Sequence, residues 1–259
     1  MTPHDAFAEG RLTEAVGLQE EAVAERPTEP TVRLFLVELL AFAGRLDEAR
    51  SHLAIVDSDD PAWPASARAF RRLLRAEHRR SVRPRKPVIL PEPIPRHAKC
   101  RWLAVKAIRD GDPEGAVRWV DRADAATPDV RGFVDGREFQ GLRDADDRFG
   151  SVLEAVVGSD YVWFPWEVVR RVKLGPARYT LDRLFRPAEI GLRDGTSYPA
   201  HLPLIYPGSS DADGVFAVGL ETDRVCPDGG PIRCIGGKLL MIDDDEVPLA
   251  ECQMIEVRM

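Results

Sequence analysis

The chain has 259 residues, 44% hydrophobic and 31% charged, with a formal net charge of −7, an ordinary globular composition with room for one large or two ordinary domains. The negative balance argues against general nucleic-acid affinity. Nowhere do eighteen apolar residues follow one another, and the start MTPHDAFAEGRLTEA has no basic segment leading into an apolar run, so the expectation is a soluble cytoplasmic protein without a membrane span or signal peptide. Cysteines 100, 226, 234 and 252 form no C-x-x-C pair and the five histidines no H-x-x-x-H; reduced thiols, no metal and no cofactor are expected.

In chain order, the first signal is a repeat. Gly10, Arg11, Leu12, Glu14 and Ala15 recur 34 residues later as Gly44, Arg45, Leu46, Glu48 and Ala49, and RDGDPEGA repeats the glycine and alanine as Gly111 and Ala116. Seventeen residues beyond each glycine stands a proline, at positions 27, 61 and 128. The period and spacing resemble the tetratricopeptide repeat: glycine turns the chain between paired helices, alanine lets the helices approach and proline ends the second one. TVRLFLVELLAFA, residues 31 to 43, is apolar nearly all round and suits a helix between neighbours, with Thr28 as its N-cap and Pro30 in its first turn.

Residues 63 to 80 read as the first helix of a further repeat whose partner is replaced by the proline-rich RPRKPVILPEPIP, 83 to 95, an extended linker or binding element. Helical pattern resumes at 97 to 109 and 113 to 125. Twelve Arg or Lys stand against two Glu between residues 68 and 101; without interleaved aromatics this reads as a solvated face or a surface for an acidic partner rather than a nucleic-acid site.

The helical period stops near residue 129, dividing the chain into a helical repeat domain, 1–128, and a C-terminal domain, 129–259. The block DGREFQGLRDADDRFG, 135 to 150, gathers Asp135, Glu138, Asp144, Asp146 and Asp147. A calcium loop starting at Asp144 would need an oxygen ligand where Arg148 stands, glycine where Phe149 stands and glutamate where Ala155 stands, so that template fails. Asp135, Asp144 and Asp146 read instead as structural residues of the junction, one of the latter two capping an amphipathic helix over about 144 to 157. YVWF, VVRRVKL, AEIGL, LPLIY, VFAVGL, CIGGKLLMI and CQMIEV then read as short strands. The fold class expected is α+β: an all-α tetratricopeptide-like domain followed by a smaller, antiparallel, barrel-like β-rich domain.

The VDG…F…L-x-DAD-x-RFG block, the aromatic YVWFPWE leading into a basic strand, LFRPAEI and LPLIYPGS, in that order, resemble the ImpE/SciE-type (TagJ) family of type VI secretion accessory proteins. The resemblance implies a non-enzymatic adaptor that binds the N-terminal helix of the small contractile-sheath subunit TssB and is linked to the sheath-disassembling ATPase ClpV. The alternative is a general tetratricopeptide scaffold or chaperone with another peptide partner. Paired helices offer a concave groove to such a partner; by repeat register Thr31, Leu34, Glu38 and Ala41 face it from one repeat and Arg101, Val105 and Ile108 from another. In the aromatic stretch, Tyr161, Trp163 and Trp166 are candidates for a second contact surface.

Overall fold

The computed structural model describes residues 1–57, 59–61, 63–82 and 85–258. Pro84 of the proline-rich stretch, with residue 83, therefore lies outside the described residues. The first part consists of α1 (Pro3–Ala8), α2 (Leu12–Glu25), α3 (Pro30–Phe42), α4 (Leu46–Ile55), α5 (Trp63–Glu77), a π-helical turn at His78–Val82, the short strand β1 (Val88–Ile89), α6 (Arg96–Arg109) and α7 (Pro113–Asp124).

The repeated glycines explain the paired helices. Gly10, Gly44 and Gly111 take φ of +77°, +69° and +75° between α1 and α2, α3 and α4, and α6 and α7. The next residue donates its N–H five residues back in all three cases: Arg11 to Ala6, Arg45 to Leu40 and Asp112 to Ala107, at 2.8 to 2.9 Å. This is a left-handed glycine cap that satisfies the last carbonyls of one helix while aiming the chain into the next. The repeated alanines Ala15, Ala49 and Ala116 are all fully buried. Thr28 does not cap α3: the N-cap is Glu29, with Pro30 as the first helical residue and no side-chain capping bond.

The second part contains β2 (Arg131–Val134), β3 (Arg137–Phe139), β4 (Leu142–Asp144), β5 (Val152–Val157), β6 (Asp160–Pro165), β7 (Val169–Leu174), β8 (Phe185–Leu192), β9 (Ser197–Pro203), α8 (Gly214–Ala217), β10 (Thr222–Val225), β11 (Arg233–Gly236), β12 (Leu239–Ile242), β13 (Asp245–Pro248) and β14 (Met254–Arg258). Among the described residues the main sheet has nine strands in the order β1-β6-β5-β9-β8-β7-β14-β2-β3, and β13-β12-β4 and β10-β11 form smaller sheets. All pairs are antiparallel except β1 with β6. The main sheet ends in β1 on one side and β3 on the other. It is therefore α+β as expected but open, not closed into a barrel.

Three further expectations change. The proline-rich stretch supplies an edge strand, Val88 opposite Val162 and Ile89 opposite Trp163, the sheet position that tolerates neighbouring prolines. The helix expected over 144 to 157 is a turn followed by β5, paired residue for residue with β6 from Val152↔Pro165 to Val157↔Asp160. Val152 to Val156 are all buried, and a run buried on both faces has no alternation to distinguish strand from helix. VFAVGL holds the short α8 rather than a strand.

One hydrophobic core joins the two parts. Phe35, Leu36, Leu39, Leu40, Phe70 and Leu74 of α3 and α5 pack with Val156, Leu181, Phe185 and Val218 from the second part. A second core fills one face of the sheet around Phe164, Val172, Ile190 and Ile255. A third lies under α6, where Ala98 meets Ile89, Phe149, Tyr161 and Trp163.

Candidate functional site

The acids of the 135–150 block bind backbone and side chains of this chain. Asp135 sits in the turn between β2 and β3 at φ +50°, and its carboxylate accepts the N–H groups of Gln253 (3.0 Å) and Met254 (2.7 Å), fixing the entry to β14. Asp146 accepts the N–H groups of Arg148 and Cys234, both at 2.8 Å, and pairs with the Arg148 guanidinium at 2.6 Å. Asp144 accepts the Tyr206 hydroxyl at 2.6 Å, the Asp146 N–H at 2.9 Å and the Lys238 ammonium at 2.7 Å. With no helix following, neither Asp144 nor Asp146 is a helix cap; both hold the turn from β4 to β5. Among the described residues no group of three or more His, Cys, Asp or Glu is placed to hold a metal ion.

From Asp144 the polar contacts run through the interior. Lys238 also pairs with Glu154 at 2.7 Å, and Glu154 pairs with Arg80 at 2.9 Å. Arg80 in turn donates to the Ile205 carbonyl at 2.8 Å and to Glu77 at 3.2 Å. Tyr161 donates its hydroxyl to Glu154 and accepts the Trp163 indole N–H at 2.7 Å. Burial opposes ionisation of Glu154, yet Arg80 and Lys238 outweigh it and hold its carboxyl down at about 2; burial drives Asp144 up despite Lys238. Every charge has a partner, as buried charges require. The sequence signal for this network is a lone charge inside an apolar pattern: Glu154 in VLEAVV, Lys238 before LLMI, and Arg80 continuing the buried face of α5.

The seven groove residues do not share one groove. Thr31, Leu34 and Glu38 line a depression of about 700 Å³ between α2, α3 and residues 178–180, with Leu18, Ala22 and Arg26 on the opposite wall. Thr31 is exposed and Leu34 half-buried, whereas Glu38 is buried and its carboxylate accepts the Leu181 N–H at 3.2 Å. Burial pushes the Glu38 carboxyl up to about 7. Ala41 is buried on another depression of about 290 Å³, beside Gly44, Leu184 and Ala217. Val105 and Ile108 border a third, of about 250 Å³. Arg101 faces no groove: it is buried, donating to the Asp147 carbonyl at 2.7 Å and pairing with Asp124. The continuous repeat groove is interrupted because Tyr179 to Leu181 lie against the helices, the Tyr179 ring meeting Phe70 edge-on at 5.4 Å.

Tyr161, Trp163 and Trp166 offer no open aromatic surface, being 9%, 1% and 2% exposed. Side chains alternate along β6, but both faces of this strand are covered. Tyr161 and Trp163 point into the core under α6, and Trp166 into the core on the other face. The basic run is divided similarly: Arg80 and Arg101 are consumed inside, while Arg68, Arg71, Arg72 and Arg75 are exposed along α5 and Arg79 on the π-helical turn after it.

Helical hairpins turned by left-handed glycines and fused through a common core to an open antiparallel sheet define a tetratricopeptide-type protein with an α+β C-terminal part. Residues 6–74 match the tetratricopeptide repeat, and residues 136–256 match the ImpE protein family. The C-terminal part is thus similar to the ImpE protein family over that region. It is 29% identical to the type VI secretion system accessory component TagJ of Pseudomonas aeruginosa, covering 99% of this chain and 91% of that protein. The same fold occurs in a crystal structure of a Vibrio parahaemolyticus protein, with TM-score 0.89, 20% identity and coverage of 99% of this chain and 97% of that one.

Proposed function

We propose that this protein is a non-enzymatic, cytoplasmic accessory adaptor of a type VI secretion system that binds the N-terminal helix of the small sheath subunit TssB and works with ClpV-dependent sheath disassembly. The observation that carries this reading is likeness to TagJ over nearly the whole length of both chains, covering helices and sheet together. No described helix is long and apolar enough to cross a membrane, which agrees with a role alongside other protein components.

The depression bounded by Thr31, Leu34 and Glu38 is the seat we assign to the partner helix. Its walls come from neighbouring repeat helices, and it offers apolar Leu18, Ala22 and Leu34 together with charged Glu21, Glu25, Arg26 and Arg178, a mixture suited to one face of an amphipathic helix. Co-purification with the sheath subunit encoded nearby tests the reading. Capture that disappears when the subunit's N-terminal helix is deleted supports it. Capture that survives the deletion points to a different binding mode, and no capture at all favours a general peptide scaffold.

A further inference from the structure

Beneath α6 lies an opening with a composition unlike the rest of the surface. Trp102, Val105 and Ile108, three and six residues apart on one face of α6, form its apolar wall, with Trp163 behind them. Trp102 is half-buried and meets Trp163 edge-on at 6.5 Å. Five arginines, at positions 80, 85, 109, 148 and 233, also line it, and no Asp or Glu is among the described residues that form it.

Those arginines are not equivalent. Arg80 and Arg148 are committed to the buried carboxylates Glu154 and Asp146. Among the described residues Arg109 pairs only with exposed Asp110. Arg85 and Arg233 make no ion pair with the described residues. Asp146 and Asp228 act on Arg233 only from beyond ion-pair distance, and in a chain of net charge −7 a small apolar cavity edged by guanidinium groups without an ion-pair partner among the described residues selects for negative charge next to an apolar group. Its volume of about 250 Å³ falls below the roughly 300–1,000 Å³ of typical small-molecule sites. It matches one large side chain. Tryptophan and arginine around such a cavity are also the residue types that dominate protein–protein hot spots.

We propose that this cavity docks an acidic-apolar segment of a partner protein: one aromatic or long aliphatic side chain enters beside Trp102 and Ile108, and carboxylates next to it in the partner's sequence bind Arg85 and Arg233. The site is separate from the α2–α3 depression and stands whether or not that depression seats the sheath-subunit helix.

The test uses the full chain and a tryptophan-free peptide with phenylalanine flanked on each side by two glutamates, followed by tryptophan fluorescence. The expected result is a saturable change, with affinity lowered at least about tenfold both by replacing the peptide's phenylalanine with alanine and by the Arg85→Gln/Arg233→Gln variant. Both arginines lack ion-pair partners among the described residues, so the variant is expected to melt with the parent. If it does not, Ile108→Glu, which puts a like charge at the mouth, serves instead with the same expected loss. No saturable change, undiminished binding by the variants, or equal binding of a lysine-flanked peptide overturns the proposal. So does preferential binding of benzoate, which would mark a metabolite pocket, or of oligothymidylate, which would mark a nucleic-acid site.

Discussion

Arg80, in the π-helical turn that ends α5, and Glu154, in the middle of β5, form an ion pair at 2.9 Å with both side chains almost fully buried. Residues 74 apart in sequence thereby join the helical part to the sheet. Removing one member of a buried pair strands the other charge and typically costs about 3–5 kcal/mol. Glu154→Ala leaves Arg80 with only Glu77 and Lys238 with only Asp144 as buried carboxylate partners, so a loss at the lower end of that range is expected in urea denaturation. Arg80→Ala in the same background should cost much less than it does alone, because contacting charges are not additive. Equal costs in the two backgrounds would mean that the pair is not coupled.

Glu38 gives stability a pH dependence opposite in sign to that of a salt-bridged acid. Its carboxyl is raised from an ordinary 4.5 to about 7 by burial, so between those values the folded protein holds a proton that the unfolded chain has released. Stability from this group is complete below about pH 4.5 and falls as pH rises through about 7, by roughly 3 kcal/mol in total. Glu38→Gln, neutral at every pH, is expected to remove this slope and to be the more stable form at pH 8. Parallel pH profiles of melting for the two proteins would contradict the assignment.

Two repeat glycines with the same backbone differ in surroundings. A Cβ added at Gly111 meets nothing within 4 Å, whereas one at Gly44 comes within 2.8 Å of the Ser210 hydroxyl oxygen. Gly111→Ala should therefore cost only the left-handed penalty, about 1–2 kcal/mol, and Gly44→Ala about 1–3 kcal/mol more for the overpacking. Gly44→Ala/Ser210→Gly should recover that extra part. Denaturant midpoints of the three variants check the order.

The repeat helices were legible because glycine, alanine and proline each do a fixed geometric job at a fixed interval, and Gly10, Gly44 and Gly111 do the same job in all three turns. The strand β5 was not, because Val152 to Val156 are buried on both sides and give no period. The edge strand at Val88–Ile89 was hidden by its prolines, and the covering of the repeat face by Tyr179 to Leu181 depends on contacts more than a hundred residues apart, such as Glu38 with Leu181. Asp144 and Asp146 stood out in the sequence, but their partners Lys238 and Cys234 are about ninety residues downstream, with nothing local to connect them.

The most direct test of the adaptor reading is a titration of the sheath subunit's N-terminal helix, as a labelled peptide, into the full chain and into Thr31→Lys/Leu34→Ala. Thr31 is exposed and Leu34 half-buried, so the variant is expected to stay folded. Saturable micromolar-range binding to the parent is expected, weakened by more than about tenfold in the variant while its far-ultraviolet dichroism is unchanged. Absence of binding to the parent, or equal binding to both proteins, would contradict it.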